Sequence, residues 1–323
     1  MNILVFNYHV PYIYNLAKTG HKFFVVNPEG RVWDYRMRPK PANVEVIDGA
    51  GAWLQFVPQI DKLIDVVLMQ DNFVGTQQGL LPYDMLATQL INKPKIMLFH
   101  NSFNTMFKSL GGEEKEKVRN GINKVLNGVR KVFISEFKKK SYGYDGDVIL
   151  PGIDTEDFGG WRCKDGLRTL TCCNNANARD FMNGTKKTYM LNAGLHFILL
   201  GEEGGKGQIA QNFENLKDVY RETAFYICLN NAEFEDGYNL SGLEAMATGV
   251  PMVTLNHPSS PVIDGYNGFK HEDIEELNKR IVTCDNEKLI KMSENARETV
   301  RMKFGINDFV DKWNEIFYLA KKG

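Results

Sequence analysis

Short apolar runs alternate with amphipathic stretches along most of the chain. In the first half, residues 3–6, 23–26, 44–47, 66–69, 96–99 and 132–134 read as strands. Apart from 44–47, which carries Glu45, they are apolar throughout rather than at alternate positions, which predicts a sheet covered on both faces. Between residues 113 and 129, Val118, Ile122, Val125, Leu126 and Val129 recur at helical spacing and predict a helix. A second set of runs at 170–173, 197–200, 225–229 and 252–255 repeats the strand pattern. Strands alternating with helices build parallel sheets. At the end of the chain Phe309, Trp313, Ile316, Phe317 and Ala320 share one helical face, which must dock on an apolar surface.

Between the two sets stands Pro151-Gly152, a pair that breaks regular structure and marks a domain boundary. The 323 residues also exceed what one core usually holds, with roughly 150 residues expected per domain. The expected architecture is α/β, with two Rossmann-like doubly wound parallel-sheet domains. They are expected at 1–150 and 151–305, with a helix over 306–323 crossing back to the first. Two such domains on a short linker create a cleft, and clefts favour ligands.

Composition mainly excludes. Hydrophobic residues make up 43% and charged residues 24%, ordinary for a globular protein. With 39 basic and 40 acidic residues the formal charge is −1, which gives no strong nucleic-acid signal. No apolar run has the ~20 residues that span a bilayer. The first strand follows at once on Met1, without the order of a signal peptide, so a cytoplasmic location is the expectation. Five cysteines lie in the second half without zinc spacing and read as small apolar core residues. Asp145-Gly146-Asp147 sits in a turn-forming setting, so no metal and no cofactor is expected. Lys138-Lys139-Lys140 reads as a solvated helix face. Gly201, Gly204, Gly205 and Gly207 do not form a dinucleotide fingerprint.

The stretch that carries chemistry is Glu233 to Pro251, Glu-Phe-Glu-Asp-Gly-Tyr-Asn-Leu-Ser-Gly-Leu-Glu-Ala-Met-Ala-Thr-Gly-Val-Pro. It follows a strand, passes a Gly-containing loop and enters a short helix that stops at Gly249. A helix N-terminus after a parallel strand offers unpaired N–H groups and a positive dipole end, which suits a diphosphate. Ser241-x-x-Glu244 by itself is also the pattern of a capping box.

As a whole this stretch resembles the nucleotide-sugar-binding segment of GT-B retaining glycosyltransferases, glycosyltransferase family 4. That family has Glu-x7-Glu followed by Ala-Met-Ala-x-Gly-x-Pro; this chain has Asp236-x7-Glu244 and then Ala245-Met246-Ala247-Thr248-Gly249-Val250-Pro251. Residues 150–158 resemble the family's lead into its second domain. Asp264-Gly265-Tyr266-Asn267-Gly268-Phe269 resembles the loop that follows the motif, and 197–201 the strand and glycine before the nucleotide pocket.

The resemblance implies a hexosyltransferase-class enzyme acting on a nucleotide-diphosphate sugar, a UDP- or GDP-sugar first, with retention of configuration. It implies that Glu244 accepts from the ribose hydroxyls and that Gly237, Tyr238, Asn239, Leu240 and Ser241 face the donor. Asp236 stands against the sugar, one methylene shorter than the family's Glu. Arg179, Lys186 and Lys187 are candidates for neutralising the leaving diphosphate. His100, at the end of a strand, corresponds to a residue touching the donor sugar, and His9 is an acceptor-side candidate. The family's glycine-rich loop near His9 is missing here. Other readings on the same architecture are a nucleotide-sugar 2-epimerase and a non-catalytic nucleotide-sugar-binding module. The acceptor is unknown, a modified nucleic acid being one alternative.

Overall fold

The computed structural model describes residues 1–323 except Glu29, Gln77, Gln78, Leu90, Lys164, residues 202–207 and Gly323. Gly204, Gly205 and Gly207 therefore lie outside the described residues. The chain divides into two compact units, Met1–Leu150 with Asp308–Gly323, and Pro151–Asn307.

The first unit is built on a seven-stranded sheet, all of whose pairings are parallel. Its order is Val44–Asp48, Lys22–Asn27, Asn2–Phe6, Val66–Gln70, Lys95–Phe99, Arg130–Phe133, Asp147–Val148. The order reverses between Asn2–Phe6 and Val66–Gln70, so the loops after these strands part and leave a crevice at the carboxyl edge. Asn2–Phe6, Lys22–Asn27, Val66–Gln70 and Lys95–Phe99 are almost wholly buried, as unbroken apolar runs require, whereas Val44–Asp48 exposes Glu45 and Asp48. The helix expected to reach residue 129 ends earlier, spanning Gly112–Val125, with residues 126–128 forming turns. Sequence periodicity also gave no sign of the two-residue strand Asp147–Val148 or of the antiparallel hairpin Phe73–Thr76 and Gly79–Pro82.

The lysine run departs from expectation. In the helix Glu136–Tyr142, Lys140 is exposed but Lys138 is only 2% exposed. The helix starts at Ser135, whose side chain accepts from the Lys138 N–H, and that start turns position 138 inward. The terminal helix Ile306–Lys322 buries Phe309, Trp313, Ile316 and Phe317. Trp313 Nε1 donates to the Tyr12 hydroxyl at 3.2 Å, and Lys321 pairs with Asp65 at 2.9 Å.

The second unit carries a five-stranded parallel sheet in the order His196–Leu200, Arg168–Cys172, Phe225–Cys228, Met252–Thr254, Gly268–Lys270. This is the 2-1-3-4-5 order, and its reversal falls between Arg168–Cys172 and Phe225–Cys228. The loops leaving those two strands, 173–179 and 229–239, contain Arg179 and Asp236, Gly237, Tyr238 and Asn239. Among the described residues no helix is long and apolar enough to cross a membrane.

Candidate functional site

The helix that follows the third strand spans Leu240–Thr248 and ends on Gly249 in the left-handed conformation, φ 110°. Its N-cap is Asn239, whose side chain accepts from the Gly242 N–H at 3.2 Å. The capping-box reading of Ser241 and Glu244 is thereby corrected: the helix starts two residues earlier. The Ser241 hydroxyl turns into the protein, 2.8 Å from the Tyr226 hydroxyl and 2.5 Å from Asn239 Oδ1. The backbone N–H groups of Asn239, Leu240 and Ser241 have no acceptor among the described residues. All three residues are half-buried, whereas 242 to 250 are buried. Three successive N–H groups thus point out of a dipole's positive end at the sheet's carboxyl edge, an arrangement that suits an anion.

Glu244 lies one turn into this helix, 3% exposed, and accepts from the Tyr220 hydroxyl at 3.3 Å. Asp236 is 2% exposed, and its carboxylate accepts the Tyr238 N–H at 3.0 Å, so it shapes the loop before the helix. The Tyr238 ring stacks edge-on against Phe304, and Lys303 donates to its hydroxyl at 3.3 Å. Gly237 passes so close to a neighbouring loop that a Cβ there would stand 2.6 Å from Ser260 Cα. That loop is held by His257, a residue for which the sequence gave no signal. His257 is 1% exposed; its Nε2 donates to the Glu235 carbonyl at 2.8 Å, and Nδ1 accepts from the Ser259 N–H at 3.2 Å. Burial lowers its pKa, which matches a neutral ring with the proton on Nε2.

Of the three cationic candidates, Arg179 lies in the loop after Arg168–Cys172, while Lys186 and Lys187 fall in the helix Thr185–Leu191. All are exposed. Arg179 has no side-chain partner among the described residues, whereas Lys186 faces Asp180 at 3.7 Å. Asn231 ties this segment to the loop before the helix, with its N–H on the Met182 carbonyl (2.8 Å) and its side chain on that of Phe181 (3.1 Å). Gly201 carries φ 146°, and a Cβ there would fall 2.3 Å from the Cys173 carbonyl oxygen. The two strand ends therefore approach in a way only glycine permits.

In the first unit, His9 is the N-cap of Val10–Ala17, and His100 follows Lys95–Phe99. Their rings stack at 5.4 Å, and Tyr12 meets His100 edge-on at 4.7 Å. His100 Nε2 is buried with no hydrogen-bond partner among the described residues. Burial first, then the neighbouring His9 and Lys138, hold its pKa well below the usual imidazole range. Two buried acids lie close to one another at the same edge. Asp71 Oδ2 accepts from the N–H groups of His100 (3.0 Å) and Asn101 (2.7 Å), and burial raises its pKa to about 6. Asp84 is fully buried; it accepts from the Tyr8 hydroxyl at 2.9 Å and the Gln70 N–H at 2.8 Å, and burial pushes its pKa up to about 8.

No protein-family model matches the chain, and no curated protein matches it by sequence. Solved structures do. A glycosyltransferase from Rickettsia africae ESF-5 is 16% identical, with a TM-score of 0.63 over 100% of this chain and 99% of that one. Anabaena HepE, solved with UDP and glucose, is 13% identical, with a TM-score of 0.68 over 98% of this chain and 99% of its own. AviGT4, a glycosyltransferase involved in avilamycin A biosynthesis, is 13% identical, with a TM-score of 0.60 over 100% and 98%. The chain has the GT-B fold.

Within the GT-B fold, each unit gathers chemistry at the carboxyl edge where its strand order reverses. Sequence reasoning singled out Glu244 and residues 237–241, which lie together at the carboxyl edge of the second unit, and did not single out Asp71, Asp84, Tyr220 or His257. Asp71 had a signal, as an acid directly after a strand. Tyr220, on the helix Phe213–Arg221, reads as an ordinary core aromatic. Its hydroxyl orients the Glu244 carboxylate, and Tyr220→Phe should weaken nucleoside diphosphate binding by about 1 kcal/mol, roughly fivefold. Calorimetric titration with UDP and GDP checks this; unchanged affinity for both would remove Tyr220 from the site.

Proposed function

We propose that this protein is a glycosyltransferase that moves a sugar from a nucleoside diphosphate donor, held by the second unit, to an acceptor. The observation that carries the reading is the start of the helix Leu240–Thr248. There three unpartnered N–H groups stand at the reversal point of a parallel sheet, with the Glu244 carboxylate one turn further in. The N–H groups would receive the diphosphate and the carboxylate the ribose diol, which can donate two hydrogen bonds to it at once. The resemblance of residues 236–251 to the donor segment of retaining enzymes supports the same assignment. Negative charge grows on the diphosphate as the anomeric bond breaks. Arg179, Lys186 and Lys187, on the segment tied to this loop, would offset it, Lys186 less than the others because Asp180 already faces it.

Thermal unfolding with UDP-, GDP- and ADP-sugars tests the donor site. HepE has been solved with UDP-glucose, so UDP-glucose is the first probe. Stabilisation by one nucleotide class supports the reading, and no stabilisation by any of them refutes it. Transfer to an acceptor is separated from epimerisation and from simple binding by following the sugar: an epimerase changes the donor without an acceptor, and a binding module leaves it intact. His100→Ala should lower turnover about a hundredfold while nucleotide affinity holds, as for loss of one group acting in the transition state. Equal loss in both would make His100 structural.

A further inference from the structure

Where Val66–Gln70 and Lys95–Phe99 end, the parallel ladder runs out, and the N–H groups of residues 100 and 101 have no carbonyl opposite them. The side chain of Asp71 takes over. One carboxylate oxygen accepts from the N–H of His100 at 3.0 Å, the N–H of Asn101 at 2.7 Å and the Asn101 side-chain amide at 3.3 Å. Asp71 is 5% exposed. Such an acid needs a counter-charge, because an unpaired buried carboxylate is expensive. Lys138, 2% exposed on Glu136–Tyr142, lies within electrostatic reach of both Asp71 and His100. This is the lysine that the local sequence marks as solvated. The other groups facing Asp71 are Tyr142 on the same helix and Asp84, which bonds Tyr8. His9 and Tyr12 complete the surroundings of the His100 ring.

We propose that Asp71 is the positioning residue for His100, holding the turn that carries the imidazole through a three-donor carboxylate, and that Lys138 is buried as its counter-charge. A consequence for turnover rests on the reading of His100 given above; the positioning itself does not. Protonating Asp71 weakens three charge-assisted bonds at once and loosens the turn. Burial holds the His100 imidazole well below its usual range, and loss of the transition in Asp71→Asn separates its titration from that of Asp71.

The test uses amide NMR of the ligand-free protein and a pH–rate profile. The His100 and Asn101 amide signals should titrate together with a midpoint of about 6. In Asp71→Asn that transition disappears. In Lys138→Met it moves to higher pH, because the cation that favours the ionised carboxylate is gone. Turnover should lose activity through the same midpoint on acidification. Asp71→Asn should have lower kcat, no such acid limb and an unchanged KM for the donor. If one variant fails to fold, the wild-type titration with the other still decides. Signals that stay flat between roughly pH 4.5 and 8 in the wild type, or a transition that survives Asp71→Asn, overturn the proposal. An amide transition without an acid limb in turnover leaves the positioning standing and instead removes His100 from turnover.

Discussion

Glu244→Ala should abolish the stabilisation that a nucleoside diphosphate sugar gives the wild-type protein. A ligand at 100 times its dissociation constant adds about 2.7 kcal/mol to the wild type, and the variant should gain nothing measurable at the same concentration. Helix propensity is not the cause, since alanine is the better helix former. The loss comes from removing the acceptor for the ribose diol within a buried environment, where a carboxylate held by Tyr220 costs no further ordering when the ligand arrives. The substitution also removes the Tyr220–Glu244 hydrogen bond, which lowers the resting stability by about 1 kcal/mol. The increment on adding ligand is therefore the quantity to compare, not the midpoint. Glu244→Gln keeps the shape and the Tyr220 bond but loses the charge, and should retain part of the increment. A full increment in Glu244→Ala would leave the helix start as an anion site of some other kind and dismiss the ribose assignment.

The parallel sheets were legible because their strands are buried on both faces. Ile3, Leu4, Val5 and Phe6, or Phe225, Tyr226 and Ile227, leave no alternation that could suggest anything else. The segment 236–251 stood out for a different reason: its order of residues is distinctive across sixteen positions, whatever their polarity. The start of the helix did not. Asn239 and Ser241 are both good caps; Asn239 takes the cap, and Tyr226, from the preceding strand, engages both side chains. The contact with Ser241 spans 15 residues and leaves no mark on local sequence. Lys138 was misread on the same grounds: three lysines in a row look solvated until Asp71, far away in the chain, is brought beneath one of them. Asp84 and Asp71 stand 13 residues apart, near a hairpin that no periodicity announced, and became neighbours only through the sheet.

The two units solve different electrostatic problems at equivalent edges. In the second, partial positive charge from backbone N–H groups is left unpaired toward the outside, and the nearest carboxylate is tethered from behind by Tyr220. In the first, acids are drawn under the edge and satisfied by N–H and hydroxyl donors, so the turn that carries His100 rests on a buried carboxylate. An edge of the first kind attracts an anion; one of the second presents neutral groups.

Asp84→Asn should make the protein more resistant to denaturant at neutral and alkaline pH, by an amount that grows with pH. The folded-state pKa of about 8 lies above the ordinary aspartate value of 3.8, chiefly through burial, with the charge of Asp71 adding to it. Between those two values the folded protein keeps a proton that the unfolded chain has released. Stability from this group is therefore lost steadily as pH rises from about 4 to about 8, and the loss levels off above that. Each unit of pH in that window costs at most about 1.4 kcal/mol. Asparagine reproduces the protonated form: its carbonyl accepts from the Gln70 N–H and its amide donates to the Tyr8 oxygen, so neither partner is stranded. Without the titration, the variant loses this slope, while Asp71 still contributes a smaller loss of the same sign between about 4 and about 6. Urea unfolding at pH 5, 7 and 9 should show a gap between variant and wild type that widens by on the order of 1 kcal/mol per pH unit up to pH 8 and then stays constant. Parallel curves across that range would mean that Asp84 is ionised at neutral pH and adds a second negative charge beside that of Asp71.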